Sequence, residues 1–419
     1  MRKMRDSGID WIGTIPQDWQ LSKIGSLYTQ RNEKVSDKDY QPLSVTMQGI
    51  LPQLATAAKT DDGDNRKLVR VGDFAINSRS DRRGSCGISP LDGSVSLINI
   101  ILTPRTAMHP GYYNWLFHTT LFADEFYKWG HGIVADLWTT RWQEMKSITV
   151  PVPEYAEQER IAAFLDAECA EIDTVLEKTR ASIEEYKKLK QAIITQAVTK
   201  GIRGDRPMKD SGIEWIGDIP AEWDIIRVKH LLKERNERSK EGKEEPLSMS
   251  QKVGLVPTKF LESIPNMASS FVGAKLAYVD DLVFNKLKAH LGVFSVSRYD
   301  GLVSPDYAVY CSTGKSNLKY LEFIFKTPQC IGEFRKKSTG IAAGLMRLYT
   351  EGLFSIYLPY PALSEQEEIA EYLNEKCAGI DALIAKKQQF LTEIENYKKS
   401  LIYEYVTGKK EVKTSVLAD

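Results

Sequence analysis

The chain is written twice, and this repeat limits what it can fold into more than any other feature. Met4-Arg5-Asp6-Ser7-Gly8-Ile9-Asp10-Trp11-Ile12-Gly13-Thr14-Ile15-Pro16 returns as Met208-Lys209-Asp210-Ser211-Gly212-Ile213-Glu214-Trp215-Ile216-Gly217-Asp218-Ile219-Pro220, with Trp19 and Trp223 following, a shift of 204. Pro42-Leu43-Ser44 matches Pro246-Leu247-Ser248 at the same shift, after which a small insertion moves it to 208. Val71 to Asn77 then pairs with Val279 to Asn285, Asp92-Gly93 with Asp300-Gly301, Gly132-Ile133 with Gly340-Ile341, Glu157-Gln158-Glu159 with Glu365-Gln366-Glu367, and Val198-Thr199 with Val406-Thr407. A repeat on this scale means two versions of one structural unit in tandem.

Within each copy the texture changes once. The first ~150 residues alternate short β-branched and aromatic runs with Gly, Pro, Asp and Asn, the pattern of a mixed α/β domain. After Pro153 no proline or glycine occurs until Gly201, and after Pro361 only Gly379 interrupts before Gly408. Each stretch reads as a helix of roughly 40 residues, about 60 Å long. Ile161, Leu165, Ile172, Leu176, Ile183, Tyr186, Ile193 and Ala197 advance by threes, fours and sevens, as do Ile369, Leu373, Ile380, Ile384, Leu391, Ile394, Leu401 and Tyr405. A long helix with one narrow apolar stripe needs a partner, and the partner of matched length is the other copy. The expected fold class is therefore α+β: two mixed α/β domains in tandem, each followed by a long α-helix, the two helices pairing as an antiparallel coiled coil. The expected boundaries are a first domain over 1–155, a helix over 156–200, a second domain over 201–362, a helix over 363–408 and a flexible tail over 409–419.

Zero net charge over 419 residues looks unpromising for a nucleic-acid binder until it is divided along the chain. Residues 1–153 hold 18 Lys+Arg against 16 Asp+Glu, and 201–361 hold 23 against 19; the intervening 154–200 holds 7 against 10, and 362–419 holds 8 against 11. Weakly basic domains thus alternate with acidic helices, which permits phosphate contact by the domains. Five scattered cysteines and five histidines form no metal-ligand spacing, so buried reduced thiols and no metal are expected. Without an apolar run long enough to span a bilayer or an N-terminal h-region, the expected location is the cytoplasm.

Pro-x-Pro followed by Glu-Gln-x-x-Ile (Glu157 to Ile161; Glu365 to Ile369), the closing Val198 to Gly201 and Val406-Thr407-Gly408, the opening Trp11-Ile12-Gly13-x-Ile15-Pro16-x-x-Trp19, and Gly301 to Tyr307 together resemble the specificity subunit of Type I restriction-modification enzymes. The resemblance covers nearly the whole chain. It implies that the domains are target-recognition domains, each reading one half of a bipartite double-stranded DNA target, and that the helices set the distance between the halves. It also implies DNA methyltransferase (modification) subunits, two of them, and restriction/translocase subunits as partners. The first copy departs from the pattern at Ser94 to Asn99, where Pro305-Asp306-Tyr307 of the second has no counterpart, so the two domains should read different bases. A duplicated reader suits half-sites about one DNA turn, ~34 Å, apart.

Candidate DNA contacts cluster in loops. Asn77, Ser78, Arg79, Arg82, Arg83 and Ser85 follow one strand, and Asn285, Lys286, Lys288 and His290 follow its counterpart. Arg can take guanine bidentately, Asn or Gln can read adenine, and Ser can bind phosphate; the plainer reading is a solvated turn with an internal Asp81 ion pair. Gln48, Gln251 and Lys252 lie in turns after the Pro-Leu-Ser strands. Thr140 and Arg141, with Lys336, Lys337 and Arg347 in the second copy, suit phosphate clamps. Trp11, Trp19, Trp215 and Trp223 recur unchanged and so fit core anchoring better than base reading. The helix faces carrying Glu157, Gln158, Ile161 and Leu165, and Glu365, Gln366, Ile369 and Leu373, are the expected seats for partner subunits, although charge runs are usually only solvated faces.

An enzyme is disfavoured: no Pro-Pro dipeptide offers a flipped-adenine pocket, Gly130-His131-Gly132 lacks the setting of a cofactor loop, and Pro305-Asp306 lacks a following Glu-x-Lys. The expectation is a subunit without a catalytic centre or cofactor, S-adenosylmethionine being bound only by the modification subunit. The alternative is a coiled-coil scaffold or adaptor with two protein-binding globular domains.

Overall fold

The computed structural model describes residues 2–55, 63–132, 138–251, 253–261, 271–340 and 346–412. Two compact units emerge: residues 1–180 with 388–419, and residues 181–387. The division cuts across the linear segments expected above, because each unit takes one globular domain and a part of both long helices.

In the first unit the central sheet is antiparallel, in the order Cys86–Ile88, Phe74–Asn77, Asn99–Pro104, Tyr28–Arg31. Its core strand, Phe-Ala-Ile-Asn, is buried throughout. Side chains alternate across a strand, so Phe74, Ile76, Ile100 and Leu102 join one apolar cluster with helices Pro110–Phe117 and Thr120–Lys128. Ala75 and Ile101 face the other way, onto Leu43 and Ile50 of the hairpin Leu43–Thr46 and Gly49–Pro52. Thr119 caps the second short helix, its hydroxyl accepting from Phe122 N at 3.2 Å.

The second unit repeats this plan: Phe294–Val296, Leu282–Asn285, Tyr307–Ser312, Leu232–Arg235, in that order. Helices Leu318–Phe325 and Pro328–Lys337 cover one face, and the hairpin Leu247–Ser250 and Gly254–Pro257 the other. Asn317 and Thr327 cap the two helices. The stretch Ser94 to Asn99 follows the same course as its counterpart: Gly93–Val95 pairs with Arg66–Val69 as Gly301–Val303 pairs with Lys275–Ala277. Leu97 and Ile98 then stand exposed where the second copy has Pro305 and Asp306.

The repeated Asp-Gly pairs have a steric and a polar cause. Asp92 accepts from Val71 N at 2.8 Å and Asp300 from Val279 N at 2.7 Å, each closing a turn. The neighbouring glycines pass so close to the carbonyls of Gln41 and Glu245 that a Cβ on either would clash with backbone. Gly301→Ala should therefore cost about 1–3 kcal/mol, the usual range for overpacking, read as a lower midpoint in denaturant. An unchanged midpoint would contradict the close approach.

The long helices run over Tyr155–Lys200 and Leu363–Val406. Inside the first unit Asp173 pairs with Lys398 at 2.6 Å and Arg180 with Glu395 at 2.6 Å; inside the second, Lys190 pairs with Asp381 at 2.6 Å and Arg203 with Glu368 at 2.8 Å. In both, advancing along one helix means retreating along the other, so the pair is antiparallel. Exposed ion pairs contribute little stability; along the same stretch of the first helix Leu176 and Ile183 are buried. The ends of the stripe serve a different purpose from the one expected. Ile161 and Leu165 pack into the first domain's core, and Ile369 and Leu373 into the second's.

The segment expected to be a flexible tail is tied down as far as it is described. Lys409 donates to Ile12 O, and Val412 is buried in the first unit's core. Residues 413–419 lie outside the described residues. The five cysteines are unpaired, and Cys86, Cys169, Cys330 and Cys377 are buried; burial pushes the Cys86 thiol up to about 12 and that of Cys169 to about 11. Among the described residues no helix is long and apolar enough to cross a membrane.

Candidate nucleic-acid interface

Each central sheet ends in a loop that folds back on its own backbone. In the first unit the Asn77 side chain accepts from Arg79 N at 3.1 Å, and Ser78 Oγ donates to Ile98 O at 2.5 Å. Ser80 N donates to Trp138 O at 2.9 Å, Thr140 N to Ser78 O at 3.0 Å, and Thr140 Oγ1 to Phe126 O at 2.9 Å. Three segments far apart in sequence, 77–85, 96–98 and 138–141, thereby meet at one edge. Asn77, Ser78, Ser85 and Thr140 are buried there, and their visible work is to shape the loops.

The cations around this framework differ in freedom. Arg79 pairs with Asp81 at 3.1 Å, the internal ion pair weighed above, and Arg83 pairs with Asp124. The Arg82 side chain is 68% exposed, with Asp81 only at 3.9 Å. Arg141 is exposed, its N–H donating to Glu144 at 3.0 Å. Gln48 stands exposed at the hairpin turn. Exposed Leu97, Ile98 and Trp138 lie on the same segments, a mixture of apolar and guanidinium groups that can meet both thymine methyls and guanine edges.

The second unit assembles the equivalent edge from different residues. Asn285 Oδ1 accepts from Leu287 N at 3.1 Å and Lys288 N at 3.3 Å. Lys286 Nζ donates to Pro305 O at 3.2 Å, and Arg347 pairs with Asp306 at 3.3 Å. Gln251 Nε2 reaches Leu291 O at 3.2 Å, joining the hairpin turn to the loop. Lys288 and Lys337 are exposed, and Lys336 pairs with Glu333 at 2.7 Å. His290 is 6% exposed, and its Nδ1 has no hydrogen-bond partner. Burial, with the Arg335 charge nearby, pushes its pKa down. Lys252 lies outside the described residues.

At the other end of each central strand, just before Phe74 and Leu282, sits an ion pair that sequence reasoning missed. Arg31 clamps Asp73 through Nε at 2.8 Å and Nη2 at 3.2 Å, and Arg235 clamps Asp281 at 2.8 and 3.1 Å. The signal was present, because both partners recur at the two repeat shifts.

The Glu-Gln motif is also occupied internally. Gln158 accepts from His109 N at 2.9 Å and donates to Pro153 O at 2.8 Å; Gln366 accepts from Asn317 N at 3.0 Å and donates to Pro361 O at 3.0 Å. Glu157 accepts from Trp19 Nε1 at 3.0 Å and pairs with Arg2; Glu365 accepts from Trp223 Nε1 at 2.9 Å and pairs with Arg206 at 2.8 Å. Trp11, Trp19 and Trp223 are buried, and Trp215 is partly so. The motif thus bolts the first turn of each long helix to its own domain, and the face carrying Gln158, Ile161, Leu165, Gln366, Ile369 and Leu373 is turned inward.

The arrangement defines a class: two copies of a loop-bearing α/β domain built on paired long helices. No protein-family model matches the chain. It is similar to the putative type I restriction enzyme MjaX specificity subunit of Methanocaldococcus jannaschii, 26% identical over 280 residues, covering 65% of this chain and 61% of that protein's length. It is also similar to the type I restriction enzyme MjaVIII specificity subunit of the same organism, 23% identical over 438 residues, covering 95% of this chain and 94% of that one. Its fold matches a solved chain described under complex assembly and conformational transition of the type I R-M system, with a TM-score of 0.72 at 13% identity, covering 94% and 99% of the two chains. The HsdS subunit from Thermoanaerobacter tengcongensis follows with 0.54 at 15% identity, covering 94% and 98%. The chain is a homologue of type I restriction enzyme specificity subunits.

Proposed function

We propose that this chain is the DNA-recognition subunit of a type I restriction-modification complex, each domain reading one half of a bipartite target. Modification subunits that carry S-adenosylmethionine and the adenine methyltransferase centre, two of them, and restriction/translocase subunits are its partners. The chain itself supplies specificity and no catalysis.

One observation carries the reading. The scaffold repeats down to its Arg–Asp ion pairs and the Thr119 and Thr327 helix caps, whereas the loops at the sheet edge offer Arg79, Arg82 and Arg83 in one copy and Lys286, Lys288 and His290 in the other. Sequence is read by side chains at base edges and held in register by phosphate contacts, so a fixed frame with changed loops is what two different half-sites require. Farther along the same helices Val175, Leu189, Leu383, Phe390 and Tyr397 are exposed, and these offer apolar surface for partners.

The test is a domain exchange in the complete complex. Replacing residues 20–150 by the corresponding block of another specificity subunit should change one half of the methylated motif and leave the other half as it was, as read by sequencing methylated DNA. Loss of both halves in an assembled complex would refute modular reading, and methylation by the purified chain alone would refute the division of labour.

A further inference from the structure

The second unit contains a groove of about 850 Å³ that starts at its candidate reading loops and ends at the long helices. Gln251, His290 and Leu291 form its loop end; Lys190 and Asp381 belong to the helices. Five lysine and arginine side chains line it against two carboxylates. Lys190 is taken by Asp381 at 2.6 Å, and Glu322 is shared by Lys319 at 2.9 Å and Lys326 at 2.6 Å. Burial pushes the Glu322 carboxyl up, but the two ammonium groups prevail and hold it below the usual range. Arg298 and Arg335, both exposed, have no carboxylate partner among the described residues. Beside them the buried His290 ring brings an Nδ1 without a partner to the same wall.

The equivalent positions of the first unit carry no such lysines or arginines. At the repeat shift of 208, Arg298, Lys319, Lys326 and Arg335 correspond to Pro90, Gly111, His118 and Tyr127, and Glu322 to Asn114. The backbone there is otherwise equivalent: Asn114 accepts from Ile88 N at 3.1 Å as Glu322 accepts from Val296 N at 3.3 Å. The scaffold therefore does not require these cations, which stand in one copy and not at the equivalent positions of the other.

We infer that this groove holds the DNA phosphodiester backbone flanking the half-site read by the second domain, with Arg298 and Arg335 as its phosphate contacts. The inference rests on the DNA-reading function proposed above. Two exposed guanidiniums without a carboxylate partner among the described residues suit phosphate oxygens, and the groove continues from the candidate reading loops. The grip on DNA is then lopsided, its sequence-independent share concentrated on the second half-site.

The experiment compares the assembled complex carrying wild-type chain with one carrying Arg298→Gln and Arg335→Gln, measuring DNA affinity as a function of salt. Each neutralised phosphate contributes a slope of about 0.9 in log affinity against log salt, so the double variant should lose roughly two units of slope and keep its methylated motif. Methylphosphonate substitution of phosphates flanking the second half-site should reduce the wild-type slope equally and leave the variant unaffected; the same substitution at the first half-site should have a smaller effect. A slope unchanged in both the variant and the substituted DNA overturns the inference while leaving specific reading intact. Loss of a partner subunit from the variant, with the slope preserved, overturns it in favour of an acidic protein surface. A wild-type complex that reads no defined sequence removes the function on which the inference rests.

Discussion

Glu365→Ala should lower the thermal midpoint of the second unit by roughly 2–12 °C. Glu365 is 5% exposed and answers two groups at once, the Trp223 indole N–H at 2.9 Å and the Arg206 guanidinium at 2.8 Å. Its removal leaves the nearly buried Arg206 with Glu222, at 2.8 Å, as its remaining carboxylate and the buried Trp223 indole N–H without an acceptor, a change that costs about 1–3 kcal/mol. For a unit of this size each kcal/mol moves the midpoint by about 2–4 °C. Glu365→Gln keeps an acceptor for Trp223 and should fall between. Glu157→Ala should cost less, because the Arg2 side chain it abandons is 18% exposed against 11% for Arg206. Calorimetry of the full chain tests the order; a loss below about 1 kcal/mol for Glu365→Ala would mean the tie is not structural.

Inserting two residues after Arg180 should abolish activity of the complex, whereas inserting four should preserve it and change what is recognised. The first helix faces the second on both sides of this point, through Asp173 and Arg180 before it and through Lys190 after it. Two residues rotate everything beyond the insertion by ~200° at 100° per residue, so Leu176 and Ile183 can no longer both face the partner helix. Four residues rotate it by only ~40° beyond a full turn and add about 6 Å of helix. On the proposed function the preferred half-sites then lie one or two base pairs farther apart, with neither half-site sequence altered. Sequencing the methylated motifs of both insertions decides. Full activity after the two-residue insertion, or an unmoved spacing after the four-residue one, would show that the helices do not set the distance.

The repeat, the change of texture after each Pro-x-Pro and the helix limits were legible because they depend on local rules: missing glycine and proline, apolar spacing, and turn residues at strand ends. The helix expected from 156 begins at Tyr155, and that expected from 363 begins at Leu363. The fate of polar loop residues was not legible. Asn77, Ser78 and Thr140 read as ready hydrogen-bonding groups, but a loop that turns on itself must first satisfy its own N–H and carbonyl groups, and these side chains are drawn inward to do so. For the same reason Gln158 and Gln366 looked like surface positions on an acidic helix, although the start of a helix packed on a domain needs partners for its buried backbone. The groove of the second unit was hidden because Arg298, Lys319 and Arg335 come from separate elements that only the fold assembles.

The division into units has a consequence for the order in which the molecule can be finished as it is made. The second unit has all its parts once residue 387 has been added. The first domain is synthesised earlier, yet its core includes Leu401, Val406 and Val412, and Tyr112 Oη donates to Val406 O at 2.8 Å. Domains generally fold as they emerge, the N-terminal one first. Here the first to leave the ribosome must wait for the last residues of the second helix before its core can close, so the earliest-made half of the protein is the last to be completed.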